Sequence, residues 1–234
     1  MSTSVHYASD GTVATIHLDD GKANALGIEV LEALLAGFDR AEREGAAVLF
    51  TGREGYFSAG FDLNVFAAGG RDLVRMLELG ATLTQRVLAF PRPVVAAAPG
   101  HAMAAGAFLL LAADLRLGAA GAFRVGLNET RIGLTLPWFV IELARSRIAP
   151  ARLDEAVVAA TVYAPDTAVD AGYLDRVVAP DALDETARAA AAELAALDAR
   201  AYADNKARLR GPAIDRVREG AERTKAELAA ALAG

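Results

Sequence analysis

The sequence predicts an α/β protein with a mostly parallel sheet covered by helices, and three observations carry that expectation. Short apolar runs alternate with segments of helical period over residues 12–117, an alternation that leads to parallel pairing with helical crossovers. Glycine and proline fall between the runs, at Gly45, Gly52, Pro91 and Pro93, where the chain must turn. Finally, 54% of the 234 residues are hydrophobic, enough to bury a full core. Much of that share is alanine, against 9 Phe, 5 Tyr and 1 Trp, so closely packed helices rather than large aromatic side chains should fill the interior.

Residues 5–7 and 12–18 bracket Ser9-Asp10-Gly11, with Val13, Ile16 and Leu18 in near alternation with polar neighbours; this is the pattern of a hairpin turning on Asp-Gly. Ile28, Leu31, Leu34, Leu35 and Phe38 recur at helical spacing over 28–44, with Gly45 as the stop, and 46–52 is a short buried strand. A second helix covers about 72–89 and is closed by Pro91-Arg92-Pro93; strand 94–98, an apolar helix 106–113 and strand 114–117 follow. From about Pro137 the chain reads as helical, apart from a strand at 173–178 before Pro180. Over 181–232 the stripes Leu194, Leu197, Tyr202 and then Ile214, Val217, Leu228 are too thin to bury themselves, so this tail should dock on the body or on another subunit. The expected division is a core over 1–180 and a C-terminal helical region over 181–234.

The formal net charge is -6, with acids and bases interleaved, which argues against a polyanion-binding groove and hence against a nucleic-acid partner. The absence of cysteine excludes disulfides, thiol catalysis and thiolate metal sites. His6, His17 and His101 have no paired spacing for a metal, and neither a Walker A loop nor an intact Gly-x-Gly-x-x-Gly is present. Ser58, in YFSAG, lacks the glycine two positions earlier that a nucleophile elbow uses. MSTSVHYASDG has no basic segment followed by an apolar one, and the longest uncharged apolar run, 102–113, falls short of the roughly 20 residues that span a bilayer. A soluble, cytoplasmic protein with no membrane partner is expected.

Three stretches place small residues where a strand gives way to a loop or helix: KANAL at 22–26, GYFSAGFDL at 55–63 and PGHAMAAGAF at 99–108. Backbone N–H groups at such places can point at a ligand oxygen, though tight turns alone also favour these residues. Glu129, in VGLNETRIG, stands among Val125, Leu127 and Ile132. Desolvation there would push its carboxyl toward the range useful to a general base near neutral pH; the alternative is a solvent-facing acid paired with Arg131.

Taken together and in order, GYFSAGFDL, PGHAMAAGAF with AADLRL, GLNETRIGLTLP and AVDAGYLDRVV resemble the signature of the crotonase superfamily over about residues 5–180. The resemblance implies a spiral of ββα turns, usually a trimer or a dimer of trimers, with C-terminal helices at the trimer contact. It implies an acyl-coenzyme A thioester as substrate, no separate cofactor and a place in fatty acid and lipid metabolism. Two backbone N–H groups would stabilise the enolate oxyanion, here those of Phe61 and Ala105, the latter at a position more often glycine. Ala23 and Ala25 would contact the coenzyme A end of the substrate, and Gly60, Asp62 and Leu63 would line the same cleft.

Hydratases of this superfamily hold a water between two glutamates. By the same resemblance the first falls on Phe108 and the second on Glu129, whose surroundings are similar to those of the Δ3,Δ2-enoyl-CoA isomerases. A single carboxylate can move a double bond from C3 to C2, taking a proton at C2 and returning it at C4. The expected activity is therefore enoyl-CoA isomerisation with Glu129 as the shuttle. The alternatives are a hydratase-like or other crotonase activity and a non-catalytic acyl-CoA binder.

Overall fold

The computed structural model describes residues 4–233. Strands β1 (Val5–Ser9) and β2 (Val13–Leu18) form the antiparallel hairpin, its turn tied by Asp10 Oδ1, which accepts from the N–H groups of Thr12 and Val13 at 2.8 Å. After β3 (Ala25–Leu26) comes α1 (Ile28–Glu44), ended by Gly45 in a left-handed conformation. Strands β4 (Ala47–Gly52), β5 (Gly55–Ser58) and β6 (Gly60–Phe61) precede α2 (Leu63–Ala68) and α3 (Gly70–Ala89). Strands β7 (Val94–Ala98) and β8 (Gly100–Met103) lead into α4 (Ala105–Ala112). Then β9 (Leu115–Ala119) and β10 (Val125–Gly126) lead through a 3-10 turn (Glu129–Ile132) to α5 (Trp138–Arg147). The chain closes with α6 (Leu153–Val157), α7 (Pro165–Ala171), β11 (Arg176–Val178), α8 (Leu183–Ala195) and α9 (Ala199–Ala233).

The pairing turns this list into a spiral. Strands β2, β4, β7 and β9 lie parallel and adjacent in chain order within a six-stranded sheet, β1 extending one edge and β11 the other. Strands β5, β8 and β10 pair in parallel as a second sheet, and β3 pairs with β6. Each turn thus gives one strand to the large sheet, one to the small inner layer, and a helix. The inner-layer strands are two to four residues long, too short for any alternation to announce them, so the three small-residue stretches prove to be partly strand rather than loop.

Other elements shift for local reasons. Only 176–178 of the expected 173–178 strand is extended, because the N–H groups of Tyr173 and Leu174 both bond to the Ala168 carbonyl (2.9 and 3.2 Å) and close α7 instead. Asp114 stands outside β9. Its carboxylate accepts from the Val94 N–H at 2.7 Å and pairs with Lys206 at 2.7 Å and Arg210 at 2.8 Å, both from α9.

The aromatic expectation is corrected as well: Phe38, Phe50, Phe57, Phe90, Phe108, Phe139 and Tyr173 are all fully buried. Few in number, they concentrate in the interior, with Phe38 edge-on to both Phe50 and Phe90 at 5.9 and 5.6 Å, a favourable geometry for ring pairs. The opposite face of the large sheet, through Leu49, Val95, Ala97 and Leu117, is covered by Leu183, Ala187 and Ala191 of α8.

The tail docks on its own body. Val217 of α9 is fully buried, and a Cβ on Gly220 would come within 2.7 Å of the Phe139 backbone nitrogen, so α9 and α5 cross in close contact. Thr224 Oγ1 accepts from the Trp138 N–H at 3.0 Å. Leu197 departs from its expected stripe and is 51% exposed, since α8 ends before it and it belongs to the connecting turn. Among the described residues, no helix is long and apolar enough to cross a membrane.

Candidate active site

Gly60 brings two backbone segments together. It adopts φ +103°, and a Cβ there would stand 2.8 Å from Ala104 Cβ and 3.1 Å from the Ala105 nitrogen; only glycine admits this approach. The Phe61 N–H and the Ala105 N–H therefore belong to adjoining segments. Ala105 opens α4, so its N–H has no intrahelical acceptor. The preceding Ala104 is held at φ 48° and ψ -120°, a conformation strained for a residue with a side chain. Its N–H bonds to the Gly126 carbonyl at 3.0 Å and its carbonyl accepts from Ala107 and Phe108.

Two buried polar residues fix this arrangement, and sequence reasoning gave neither that part. Asn24, at φ 55°, donates from Nδ2 to the carbonyls of Leu18, Tyr56 and Phe57 (2.8, 3.2 and 3.2 Å) and accepts the Asp20 N–H at 3.0 Å. Ser58 Oγ donates to the Asn24 carbonyl at 2.7 Å and accepts the Gly60 N–H at 3.1 Å. Ser58 is a structural tie, consistent with its dismissal as a nucleophile. The available signal was two hydrogen-bonding residues inside otherwise small, apolar motifs.

Glu129 begins the 3-10 turn three residues after Gly126, the residue that bonds to Ala104. It is 7% exposed, and its Oε2 is buried with no hydrogen-bond partner. Burial pushes its carboxyl up to about 7, opposed only by the hydrogen bond from its own backbone. The alternative pairing with Arg131 is overturned: Arg131 Nε donates to the Ala160 carbonyl at 2.6 Å.

The remaining residues fall around these groups. Ala23 accepts the Ala59 N–H through its carbonyl at 2.9 Å, and Ala25 pairs with Gly60 in the β3/β6 ladder. Asp62 caps α2, its Oδ1 accepting from the Asn64 N–H at 2.9 Å, while Leu63 is 62% exposed. Phe108, fully buried, stands 5.7 Å from the Phe61 ring and 5.6 Å from Phe139, forming an aromatic wall. His101 Nδ1 accepts the Arg124 N–H at 3.1 Å between the rings of Tyr56 and Phe123, a structural role. A cavity of about 600 Å³ lies elsewhere, between β9, α8 and α9, lined by residues such as Leu194, Tyr202 and Lys206.

Comparison with known proteins supplies the context for this geometry. A family model described as enoyl-CoA hydratase/isomerase matches residues 8–230. A Bacillus subtilis protein described as a probable enoyl-CoA hydratase is 32% identical over 58% of this chain, a match that spans 53% of that protein, about half its length. Among solved structures, an enoyl-CoA hydratase/isomerase family protein from Pseudomonas syringae superposes with a TM-score of 0.93 at 39% identity, covering 96% of this chain and 98% of that one. A Mycobacterium tuberculosis protein, described as an enoyl-CoA isomerase in one structure and as a probable enoyl-CoA hydratase in another, does so in the first with a TM-score of 0.91 at 38% identity, covering 97% and 100%. With its spiral of strands and its helical C-terminal region, the chain has the crotonase fold and belongs to the enoyl-CoA hydratase/isomerase family.

Proposed function

We propose that the protein isomerises 3-enoyl-CoA to 2-enoyl-CoA with Glu129 as a single proton shuttle. The observation that carries this reading is the lone, desolvated Glu129 carboxylate with its unpartnered Oε2. By the motif resemblance Phe108 falls where the hydratases have their other glutamate, and it packs into an aromatic wall with Phe61 and Phe139. In the ionised form, Glu129 takes the proton at C2, and the electron pair of that C–H bond delocalises through the thioester carbonyl and the C3–C4 double bond. The N–H groups of Phe61 and Ala105 stabilise the oxyanion that forms, and preorganised donors of this kind contribute about 3–4 kcal/mol each when the site excludes water. The carboxylic acid then returns its proton to C4, leaving the double bond between C2 and C3. Apolar surroundings keep water from the dienolate between the two steps. Ala23, Ala25, Gly60, Asp62 and Leu63 line the approach of the thioester.

The test mixes purified protein with 3-enoyl-CoA thioesters of several chain lengths and follows the absorbance of the conjugated product. Conjugation that disappears in Glu129→Gln is expected; no conjugation at any length, or full activity in the variant, refutes the proposal. The hydratase name of the Bacillus subtilis relative favours a second reading, water addition to 2-enoyl-CoA, which the same absorbance reports as loss of conjugation when 2-enoyl-CoA is supplied as substrate. Tight binding of acyl-CoA with neither reaction would assign a non-catalytic binder.

A further inference from the structure

Phe61 carries a proposed oxyanion donor and an aromatic ring on one residue, and α3 leaves a place for the ring. Gly80, buried in the interior of α3, lies against it: a Cβ there would stand 2.4 Å from Phe61 Cζ and 2.6 Å from Cε1. Glycine weakens a helix interior relative to alanine, and Gly80 has no positive φ that would call for it; its missing side chain is what admits the ring. The Phe66 ring lies 6.2 Å from that of Phe61, Phe108 lies 5.7 Å from it, and Phe139 stands 5.6 Å beyond Phe108, spacings at which rings touch. Phe108 also follows Ala105 by one turn on the same face of α4, and a helical side chain leans back over the turn before it. Each donor therefore has a phenyl ring beside it.

We propose that Phe61, seated on Gly80, and Phe108 close the acyl end of the cleft and restrict the protein to short-chain acyl thioesters. The inference rests on the oxyanion donors of the proposed reaction. With the carbonyl oxygen between the Phe61 and Ala105 N–H groups, the sulfur faces solvent, because the coenzyme it bears is large, polar and charged. The acyl carbons then point inward, toward the two rings. One helical turn, about 5 Å, separates Phe108 from the donor at Ala105, which accommodates an acyl group of about four to six carbons. Beyond that, a row of touching rings runs from α3 across α4 to α5, with Phe108 and Phe139 1% and 0% exposed. A longer chain is turned out over exposed surface and gains no further burial. Phe61 thus serves the chemistry through its backbone and specificity through its side chain.

Two measurements test this. Dissociation constants of saturated butanoyl- to dodecanoyl-CoA, taken by calorimetry, need no turnover; conjugation rates of 3-enoyl-CoA thioesters of the same lengths report it. In the native protein affinity should rise about fourfold per methylene, the value of burying one, up to about six carbons, and then level off. Phe61→Ala keeps the N–H and removes the ring, and should raise octanoyl over hexanoyl affinity about fifteenfold, the worth of two more buried methylenes. Phe108→Leu, a smaller change that spares the core, should raise the same ratio about fourfold. Native affinity that keeps climbing through decanoyl, or variants that weaken every length by the same factor, overturns the limit. A length limit with no conjugation at any length refutes isomerisation alone; conjugation without a length limit refutes the limit alone. No binding of any acyl-CoA ends both.

Discussion

Replacing Glu129 by glutamine should stabilise the protein at alkaline pH while abolishing turnover. The folded carboxyl sits at about 7 against an ordinary value of 4.5, so between those values the folded state binds more protons than the unfolded one. Stability therefore falls as pH rises from 4.5 to 7, and the loss is complete above 7. At 1.36 kcal/mol for each tenfold change in proton activity, keeping the ionised group buried costs about 3 kcal/mol. Glutamine carries no charge to desolvate. Urea denaturation of both proteins at pH 5 and pH 8 measures the difference: the variant should gain about 3 kcal/mol at pH 8, or about 6 °C in melting temperature for a chain of this length, and only a small part of that at pH 5. A gain independent of pH, or no gain at pH 8, would show that the carboxylate is not desolvated and would remove the basis for treating it as a tuned base.

Further outcomes follow from the same geometry. With Glu129 as the base, kcat/KM of isomerisation should rise with pH through about 7 and level off above it; a flat profile between pH 5 and 8 excludes that role. Gly60→Ala should lose activity and about 3 kcal/mol of stability, because its Cβ would meet Ala104 Cβ at 2.8 Å at a positive φ; denaturation and the conjugation assay report the two losses. Ala104→Gly should relieve the backbone at φ 48° and raise stability by about 1 kcal/mol, once the added freedom of the unfolded chain is offset; a lower melting temperature would count against strain there. Asp114→Asn should cost about 3–5 kcal/mol by leaving Lys206 and Arg210 buried without their counter-charge, read by denaturation and by faster hydrogen exchange along α9.

The long elements were legible because period and breakers agree. The run Ile28, Leu31, Leu34, Leu35, Phe38 ahead of Gly45 marks α1, and Pro91-Arg92-Pro93 marks the end of α3. The inner strands were not legible, since a two-residue pair such as β3 and β6 has no period of its own and exists only through its partner. At the site, Glu129 stood out because one acid among apolar neighbours is a chemical anomaly visible in one dimension, and its burial and raised pKa agree with that. The ties made by Asn24 and Ser58 are contacts between residues 34 apart in sequence, which local pattern does not encode. Arg131 shows the converse: adjacency suggested an ion pair, and the folded chain sends its guanidinium to Ala160 instead.

The order of the strands in the large sheet has a consequence for how the molecule comes into being. Because β2, β4, β7 and β9 are neighbours in the same order in which they are made, each turn leaving the ribosome finds its docking edge already present, and no later segment must thread between earlier ones. Domains form from the N-terminus as synthesis proceeds, and short-range pairing of this sort limits the loop closure that slows folding. Phe61, Ala105 and Glu129 come from three successive turns. A nascent chain therefore acquires the two proposed oxyanion donors before the proposed base, and the last closing piece, α9, arrives only after Glu129 is in place.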